Sequence, residues 1–234
     1  MTIADRLAAI QDRLATACAH AGRDPSEVRL LTASKTRSPE AVVEAMAAGQ
    51  VLFGENRAQE FRDKRGPVST LAAAAGLPAP EWHFIGAVQR NKIRYLAGHV
   101  TLVHAIDKIA TGTALSERVM RGDGPPQAIL VEVNTGGEAS KAGVPPHEAL
   151  ALAHALDALD GVRVQGLMTI PPPVANPSDS APCFANLAAL AAQGRDEGLD
   201  LRELSMGMSG DFEEAIRHGA TIVRVGTAIF GPRG

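Results

Sequence analysis

The sequence predicts a single (β/α)8 TIM barrel that spans residues 1–234 and carries an extra helix at its N-terminus. Short apolar strands recur along the chain, helical segments separate most of them, and there are eight such strands, the number that closes a barrel. The strands are apolar at both parities, as expected of a parallel sheet that is buried on both faces. A doubly wound open sheet is the alternative, but it usually carries fewer strands.

The elements follow one another in a regular order. Apolar residues at helical spacing predict an amphipathic helix over residues 2–21, with a capping box formed by Thr2 and Asp5. The strands are then predicted at residues 28–34, 51–56, 82–86, 101–106, 128–134, 164–170, 201–206 and 221–226. Two long loops are expected: residues 66–80, which are rich in alanine, proline and glycine, and residues 171–182 after the sixth strand.

Composition excludes several classes of function. With 45% hydrophobic and 21% charged residues, the chain has the composition of a soluble globular protein. A net charge of -3 and only 3% aromatic residues argue against nucleic-acid binding. No apolar run approaches the roughly 20 residues that span a bilayer, and no signal peptide is recognisable. Cys18 and Cys183 form no CxxC pattern, so two free thiols and a cytoplasmic location are expected.

Functional residues of a parallel barrel lie at the C-terminal ends of its strands. Lys35 stands at the end of the first strand and shares a strand face with Leu31 and Ala33. Because Ala33 is small, it leaves room for a lysine side chain to rise inside the barrel mouth. The sequence does not decide which face points inward, and a solvated surface charge is the alternative interpretation of Lys35.

Two loops near the C-terminus have the character of a phosphate site. Residues 209–211 (Ser-Gly-Asp) open a predicted helix after the seventh strand, and Gly226 and Thr227 open another after the eighth. Free N–H groups at a helix start, close approach at glycine and hydroxyl donors suit a phosphate dianion. These are also the loops that recurrently bind phosphate in this architecture. The alternative is a pair of helix caps that bind no ligand.

A phosphate site beside a lysine on the adjacent first strand suggests pyridoxal 5'-phosphate (PLP), held as a Schiff base on Lys35. A phosphosugar bound in the same way, as in aldolases, is the alternative. Arg224 favours PLP because it lies two residues before Gly226 on the same strand face, where a guanidinium can meet the pyridine nitrogen. A permanently charged arginine does not protonate that nitrogen, so the ring would be a weak electron sink. The alternative role for Arg224 is a buried ion pair.

Ordered segments from residue 30 onward resemble one known family, the YggS/PROSC pyridoxal phosphate homeostasis proteins. The segments that carry the resemblance are ASKT (33–36), FGENRAQEF (53–61), WHFIGAVQRNK (82–92), VNTGGEASKAG (133–143), GLMTIPP (166–172), LSMGMSGDFEEAI (204–216) and VRVGTAIFG (223–231). The resemblance implies a barrel like the N-terminal domain of alanine racemase. The site residues that it implies are Lys35 for the Schiff base, Ser209, Gly226 and Thr227 for the phosphate, Arg224 for the ring nitrogen, and Asn56 and Met206 lining the cofactor.

Members of that family are believed to bind, carry or buffer PLP without an established reaction. The resemblance therefore implies a protein without a catalytic cycle. We also expect a monomer that holds no metal, and apo forms of PLP-dependent enzymes as recipients of the cofactor. A barrel-type amino-acid racemase is the alternative, but it needs a proton donor on each face of the substrate carbon. In barrel racemases one donor is a tyrosine from a separate domain; the chain ends soon after Gly226, so no such domain is expected, and Tyr95, the only tyrosine, is expected to pack in the core.

Two further residues were open to more than one interpretation. Lys141, in the glycine-rich segment 136–143, is either a solvated loop lysine or a contact for a second phosphate. His83 shares a strand face with Ile85, and either points inward below the cofactor or is a hydrogen-bonded core histidine, the interpretation that we favour.

Overall fold

The structure, a computed structural model, describes residues 1–137 and 142–232 and contains a closed barrel of parallel strands in sequence order, with β8 paired to β1. The strands are β1 (Arg29–Ala33), β2 (Leu52–Glu55), β3 (Glu81–Phe84), β4 (Leu102–Ile106), β5 (Gln127–Glu132), β6 (Val162–Met168), β7 (Glu203–Ser205) and β8 (Ile222–Val225). The predicted barrel is confirmed. Closure places the C-terminal ends of the first and last strands side by side.

Helices surround the barrel, and the first of them precedes β1. They are α1 (Ile3–His20), α2 (Pro39–Ala47), α3 (Ala58–Ala74), α4 (Ile109–Val119), α5 (Pro146–Asp157), α6 (Ala181–Asp196), α7 (Phe212–Arg217) and α8 (Thr227–Phe230). The capping box of Thr2 and Asp5 is present at the start of α1, which packs against α7 and α8. After β3 the connection is a 3₁₀ helix, Arg90–Tyr95, in place of an α-helix.

The prediction of a surface loop over residues 66–80 is wrong, because α3 continues through most of it, to Ala74. Pro67 lies inside this helix, where it removes one backbone hydrogen bond and ordinarily costs about 3 kcal/mol. The helix continues because Val68 and Ala72 extend the buried stripe that begins at Phe61. Burial of this stripe and the high helix propensity of the alanines offset the cost of the proline.

Two separate cores fix which side of each strand faces the barrel interior. The smaller core fills the barrel and consists of Leu31, Leu52, Leu102, Ala105, Leu130, Met168 and Ile222, while the larger one lies between the barrel and its helices. Since Leu31 lies inside the barrel, the strand alternation puts Ala33 on the inner face as well. The question that the sequence left open for Lys35 is thereby decided in favour of the barrel mouth.

Three further sequence predictions concern the cysteines, possible membrane spans and Lys141. Cys18 and Cys183 are both free thiols. Within residues 1–137 and 142–232, no helix is both long enough and apolar enough to cross a membrane. Lys141 lies outside the described residues.

Candidate functional site

A cavity of about 440 Å³ opens at the C-terminal ends of the strands. This size is within the range usual for small-molecule and cofactor sites. The predicted site residues that line it are Lys35, Asn56, Ser209, Arg224, Gly226 and Thr227. Met206 is not among the lining residues: it is completely buried in the core between barrel and helices, and Met208 lines the cavity instead.

The amine of Lys35 is free to react. The residue is exposed at the cavity mouth, and no hydrogen-bond or ion-pair partner of its amine is found among the described residues. The backbone on both sides of it is held in place. Ser34 donates its hydroxyl hydrogen to Glu55 Oε1 over 2.7 Å, and the N–H of Thr36 donates to Glu60 Oε1. A fixed backbone with an unpartnered amine suits a lysine that forms a covalent bond to a ligand.

A buried lysine joins these two contacts behind the cavity. Lys64, 5% exposed, donates to Glu55 Oε1 over 2.6 Å, to Glu60 Oε1 over 2.8 Å and to the carbonyl oxygen of Ser34 over 2.8 Å. Glu55 is fully buried, and burial raises the pKa of its carboxyl while Lys64 and Ser34 lower it. Thr36 adopts a left-handed backbone conformation, φ 63°, beside this cluster. Lys64, Glu55 and Glu60 together form what we call the Lys64 clamp.

The two predicted phosphate loops meet beside Lys35. Asp211 stands at the N-cap position of α7, and its side chain accepts a hydrogen bond from the N–H of Met208 over 2.7 Å, which closes the turn that carries Ser209 in the cavity lining. Gly226 precedes α8 and lies against β1, where a Cβ atom would stand 3.1 Å from the carbonyl oxygen of Ala33. In α8 the N–H groups of Ile229 and Phe230 donate to the carbonyl oxygen of Gly226, whereas those of Thr227 and Ala228 have no partner among the described residues.

Arg224 lies at the bottom of the cavity, 6% exposed, and its direction is fixed by two acceptors. Its guanidinium donates to the hydroxyl of Ser205 and, over 2.8 Å, to the carbonyl oxygen of Thr169. Burial lowers the pKa of Arg224 to about 10, although Asp211 and Glu132 act in the opposite direction. The residue therefore carries a positive charge at neutral pH, and no carboxylate among the described residues is in direct contact with it.

Glu132 is a cavity residue that sequence reasoning missed. It ends β5, lies 7% exposed in the cavity wall, and is on the same strand face as Ala128 and Leu130, both of which belong to the barrel interior. Burial, aided by Asp107, raises the pKa of its carboxyl to about 7, and Arg224 limits the rise. A single acidic residue on the inner face of an apolar strand was the available signal.

Replacing Glu132 by glutamine is expected to remove a pH dependence of stability. Its folded-state pKa of about 7 lies above the ordinary value of 4.5, so the stability it contributes is complete below pH 4.5 and is lost as the pH rises through 7. As the pH rises from 5 to 8, the ionisation of Glu132 should cost wild type about 2–3 kcal/mol of unfolding free energy. Glu132→Gln lacks this cost, so its unfolding free energy should rise by that amount relative to wild type. Urea denaturation of the ligand-free proteins at both pH values measures this.

A matched control for that measurement is the exposed carboxylate Glu148 on α5. Glu148→Gln should follow the wild-type pH dependence. Parallel curves for Glu132→Gln and wild type would contradict the buried, proton-holding state of Glu132.

Comparison with known proteins identifies the family. Residues 6–234 match the family described as alanine racemase, N-terminal domain. A protein of Aquifex aeolicus (strain VF5) described as a pyridoxal phosphate homeostasis protein is 42% identical over 234 residues, which cover 100% of this chain and 99% of the relative. A Pseudomonas aeruginosa protein of the same description is 45% identical over 232 residues, 99% of this chain and 96% of the relative. The chain belongs to the pyridoxal phosphate homeostasis protein family.

A solved structure of the same family shows the same barrel. PipY of Synechococcus elongatus PCC7942, determined with PLP bound, superposes with a TM-score of 0.81 at 34% identity and covers 98% of this chain and 100% of PipY. The family and the fold that the sequence predicted are thus confirmed. The individual ligand contacts of Lys35, Asn56, Ser209, Arg224, Gly226 and Thr227 stay predictions for this member of the family.

Proposed function

We propose that this protein binds PLP as a Schiff base on Lys35 and takes part in PLP homeostasis as a carrier or buffer. The observation that supports this most strongly is the unpartnered amine of Lys35 in one cavity with a buried, charged Arg224 and two helix starts. The family relatives named for PLP homeostasis and the PLP-bound PipY support the same ligand.

The residues present fit the chemical groups of PLP. Lys35 offers the amine for the aldehyde, and the hydroxyls of Ser209 and Thr227 with the N–H groups of Thr227 and Ala228 offer donors for the phosphate. Glycine at 86 lets the chain after β3 pack closely against Asn56 in the cavity wall, because a Cβ atom there would stand 2.2 Å from the carbonyl oxygen of Asn56. When bound, PLP would supply an electron-withdrawing ring; Arg224 would meet its nitrogen as a hydrogen-bond donor.

The chain's own residues favour holding the cofactor over catalysis. Arg224 keeps its proton at neutral pH, so it would leave the ring nitrogen unprotonated and the ring a weak electron sink. Lys35 and Thr227 are exposed at the mouth, which leaves water and other proteins access to the site. Racemases exclude water from the reacting carbon. An open site instead suits transfer of the cofactor, and apo forms of PLP-dependent enzymes are its proposed recipients.

An amino-acid racemase is the second candidate, and Glu132 is the observation that favours it. With a pKa of about 7, this carboxyl is able to exchange a proton at neutral pH inside the cavity that Lys35 lines. Tyr95 does not supply a second donor: it lies on the 3₁₀ helix after β3, outside the cavity lining, and its hydroxyl oxygen accepts hydrogen bonds from Arg62 and Arg94.

Two measurements on the purified protein test the proposal. Titration with PLP is expected to produce a saturable visible absorption band with one equivalent bound, and incubation of the loaded protein with L-amino acids is expected to give no racemisation above that of free PLP. Absence of saturable binding would refute the assignment of the ligand. Turnover that Glu132→Gln abolishes would replace the carrier with the racemase.

A further inference from the structure

A row of hydrogen-bonded side chains begins at Arg224 and descends through the barrel interior. The guanidinium Nη1 of Arg224 donates to Ser205 Oγ on β7. Ser205 Oγ in turn lies 2.8 Å from Nδ1 of His104 on β4. Both Ser205 and His104 are fully buried. The contact crosses the barrel, because β4 and β7 are not neighbours in the sheet.

The row continues from His104 to the opposite end of the barrel. Nε2 of His104 lies 2.9 Å from Nδ1 of His83, and Nε2 of His83 lies 2.9 Å from Glu81 Oε1. Glu81 Oε2 accepts a further bond from Arg29 over 2.6 Å. His83 is fully buried, and Glu81 is partly exposed. We refer to Arg224, Ser205, His104, His83 and Glu81 as the barrel relay.

The carboxylate end of the relay, together with the neutral rings of the two histidines, fixes the direction of every bond in it. A guanidinium only donates, a carboxylate only accepts, and a neutral imidazole donates from one nitrogen and accepts at the other. His83 therefore donates from Nε2 to Glu81 and accepts at Nδ1. His104 then donates from Nε2 to His83 and accepts at Nδ1. Ser205 accepts from Arg224 and donates its own hydrogen to Nδ1 of His104. All the hydrogens point away from the cavity.

The charges of the relay residues agree with this direction. Burial lowers the pKa of His104 well below its ordinary value and also lowers that of His83, so both rings are neutral at pH 7. The bonds from His83 and Arg29 lower the pKa of Glu81 to about 2, so it is a carboxylate. The only formal charges are at the two ends of the relay and on Arg29.

We propose that His104 and His83 are positioning residues that hold the Arg224 guanidinium in the direction required to meet the ring nitrogen of PLP. Without a directed acceptor at His104, the Ser205 hydroxyl is free to rotate, and the bond that orients Nη1 of Arg224 weakens. Hydrogen bonds in such a row polarise one another, so the carboxylate of Glu81 strengthens the acceptor at Ser205. The inference rests on the proposed function for the identity of its ligand. The predicted positions of the hydrogens in the relay do not depend on that function.

The hydrogen positions are tested first, in the full-length protein without PLP. Nitrogen-15 NMR distinguishes the two neutral tautomers and the charged form of a histidine ring. Both His83 and His104 are expected to be neutral with the hydrogen on Nε2. A hydrogen on Nδ1 of His104, or a charged His83, would overturn the direction of the relay whatever the protein binds.

The effect on the cofactor is tested with a pair of variants at His104. Glutamine can accept from Ser205 through its oxygen and donate to His83 through its nitrogen, whereas leucine can do neither. His104→Leu is expected to shift the visible band of bound PLP and to weaken PLP binding about tenfold, the equivalent of one typical hydrogen bond. His104→Gln should stay within about threefold of wild type.

Two further variants complete the experiment. Ile222→Val alters a fully buried residue of the barrel interior outside the relay and should leave the band in place. Ser205→Ala removes the acceptor of Arg224 and should shift the band and weaken PLP binding as His104→Leu does. If the leucine variant does not fold, Ser205→Ala carries the test. Unchanged binding and spectrum in Ser205→Ala, or an equal shift in Ile222→Val, would overturn the proposal. If wild type itself binds no PLP, the proposed function fails while the NMR result still decides the relay.

Discussion

Lys35→Ala is expected to abolish the visible band of bound PLP and to weaken binding by at least about 100-fold, or about 2.7 kcal/mol. The reason is that the free amine of Lys35 lines the cavity with Arg224 and the helix starts, and no other lysine among the described residues lines it, so none of these replaces the covalent bond. The folded protein should be unaffected, because Lys35 is exposed and makes no ion pair within the described residues. Absorbance titration measures the first effect and urea denaturation the second.

Lys108 provides the matched control for Lys35. It is an exposed lysine two residues beyond the end of β4, at the same end of the barrel, but it does not line the cavity. Lys108→Ala should bind PLP as wild type does. A Lys35→Ala protein that retains the band, or an equal loss in Lys108→Ala, would contradict the assignment of Lys35.

Lys64→Met is expected to lower the free energy of unfolding by about 3–5 kcal/mol at pH 7. Removing this lysine leaves the fully buried carboxyl of Glu55 without its compensating charge and frees the backbone of Ser34. Because burial already raises the pKa of Glu55, loss of Lys64 raises it further, so the destabilisation should shrink as the pH falls and Glu55 takes up a proton. Urea denaturation at pH 7 and pH 5 checks both statements.

The same measurement on two companion variants isolates the buried charge. Glu55→Gln combined with Lys64→Met removes both partners and should recover at least half of the loss. Arg202→Met breaks an exposed pair with Asp200 and should cost less than about 1 kcal/mol. A Lys64→Met variant as stable as Arg202→Met would show that the Lys64 clamp does not hold the first strand end.

The sequence predicted the fold well because barrel architecture depends on features that repeat along the chain. Strand alternation and the number of strands are visible locally, and closure follows from them. The error at residues 66–80 has a local cause: Gly66 and Pro67 are typical of a loop, and only the packing of Val68 and Ala72 against the barrel keeps α3 intact. Tertiary contacts outweighed propensity there.

The site was predictable where it depends on strand ends and less so where it depends on loop geometry. Lys35 and Gly226 could be placed together because β1 and β8 must be neighbours in a closed barrel. Met206 was expected beside the cofactor, but Gly207 adopts a left-handed conformation, φ 89°, directly after it. Met206 shares the outer face of the strand with Leu204, because Ser205 between them points into the barrel. The turn at Gly207 ends the alternation, so Met208 lines the cavity in its place.

Side-chain contacts that depend on the offset between paired strands were beyond sequence reasoning. His83 was expected in the core, and it lies there, but its bond to His104 depends on the offset between β3 and β4, which pairs His83 with Leu102. No local pattern encodes such an offset. The Lys64 clamp is a partial exception, because Glu60 and Lys64 lie one helical turn apart on α3, a spacing typical of an ion pair.

The central claim is that Lys35 holds the cofactor, and the most direct test is to trap the bond. The purified protein is loaded with one equivalent of PLP, reduced with borohydride, digested and analysed by peptide mass spectrometry. The adduct is expected on the peptide that contains Lys35, and on that lysine alone. An adduct on any other lysine, or one spread over several exposed lysines, would contradict the account.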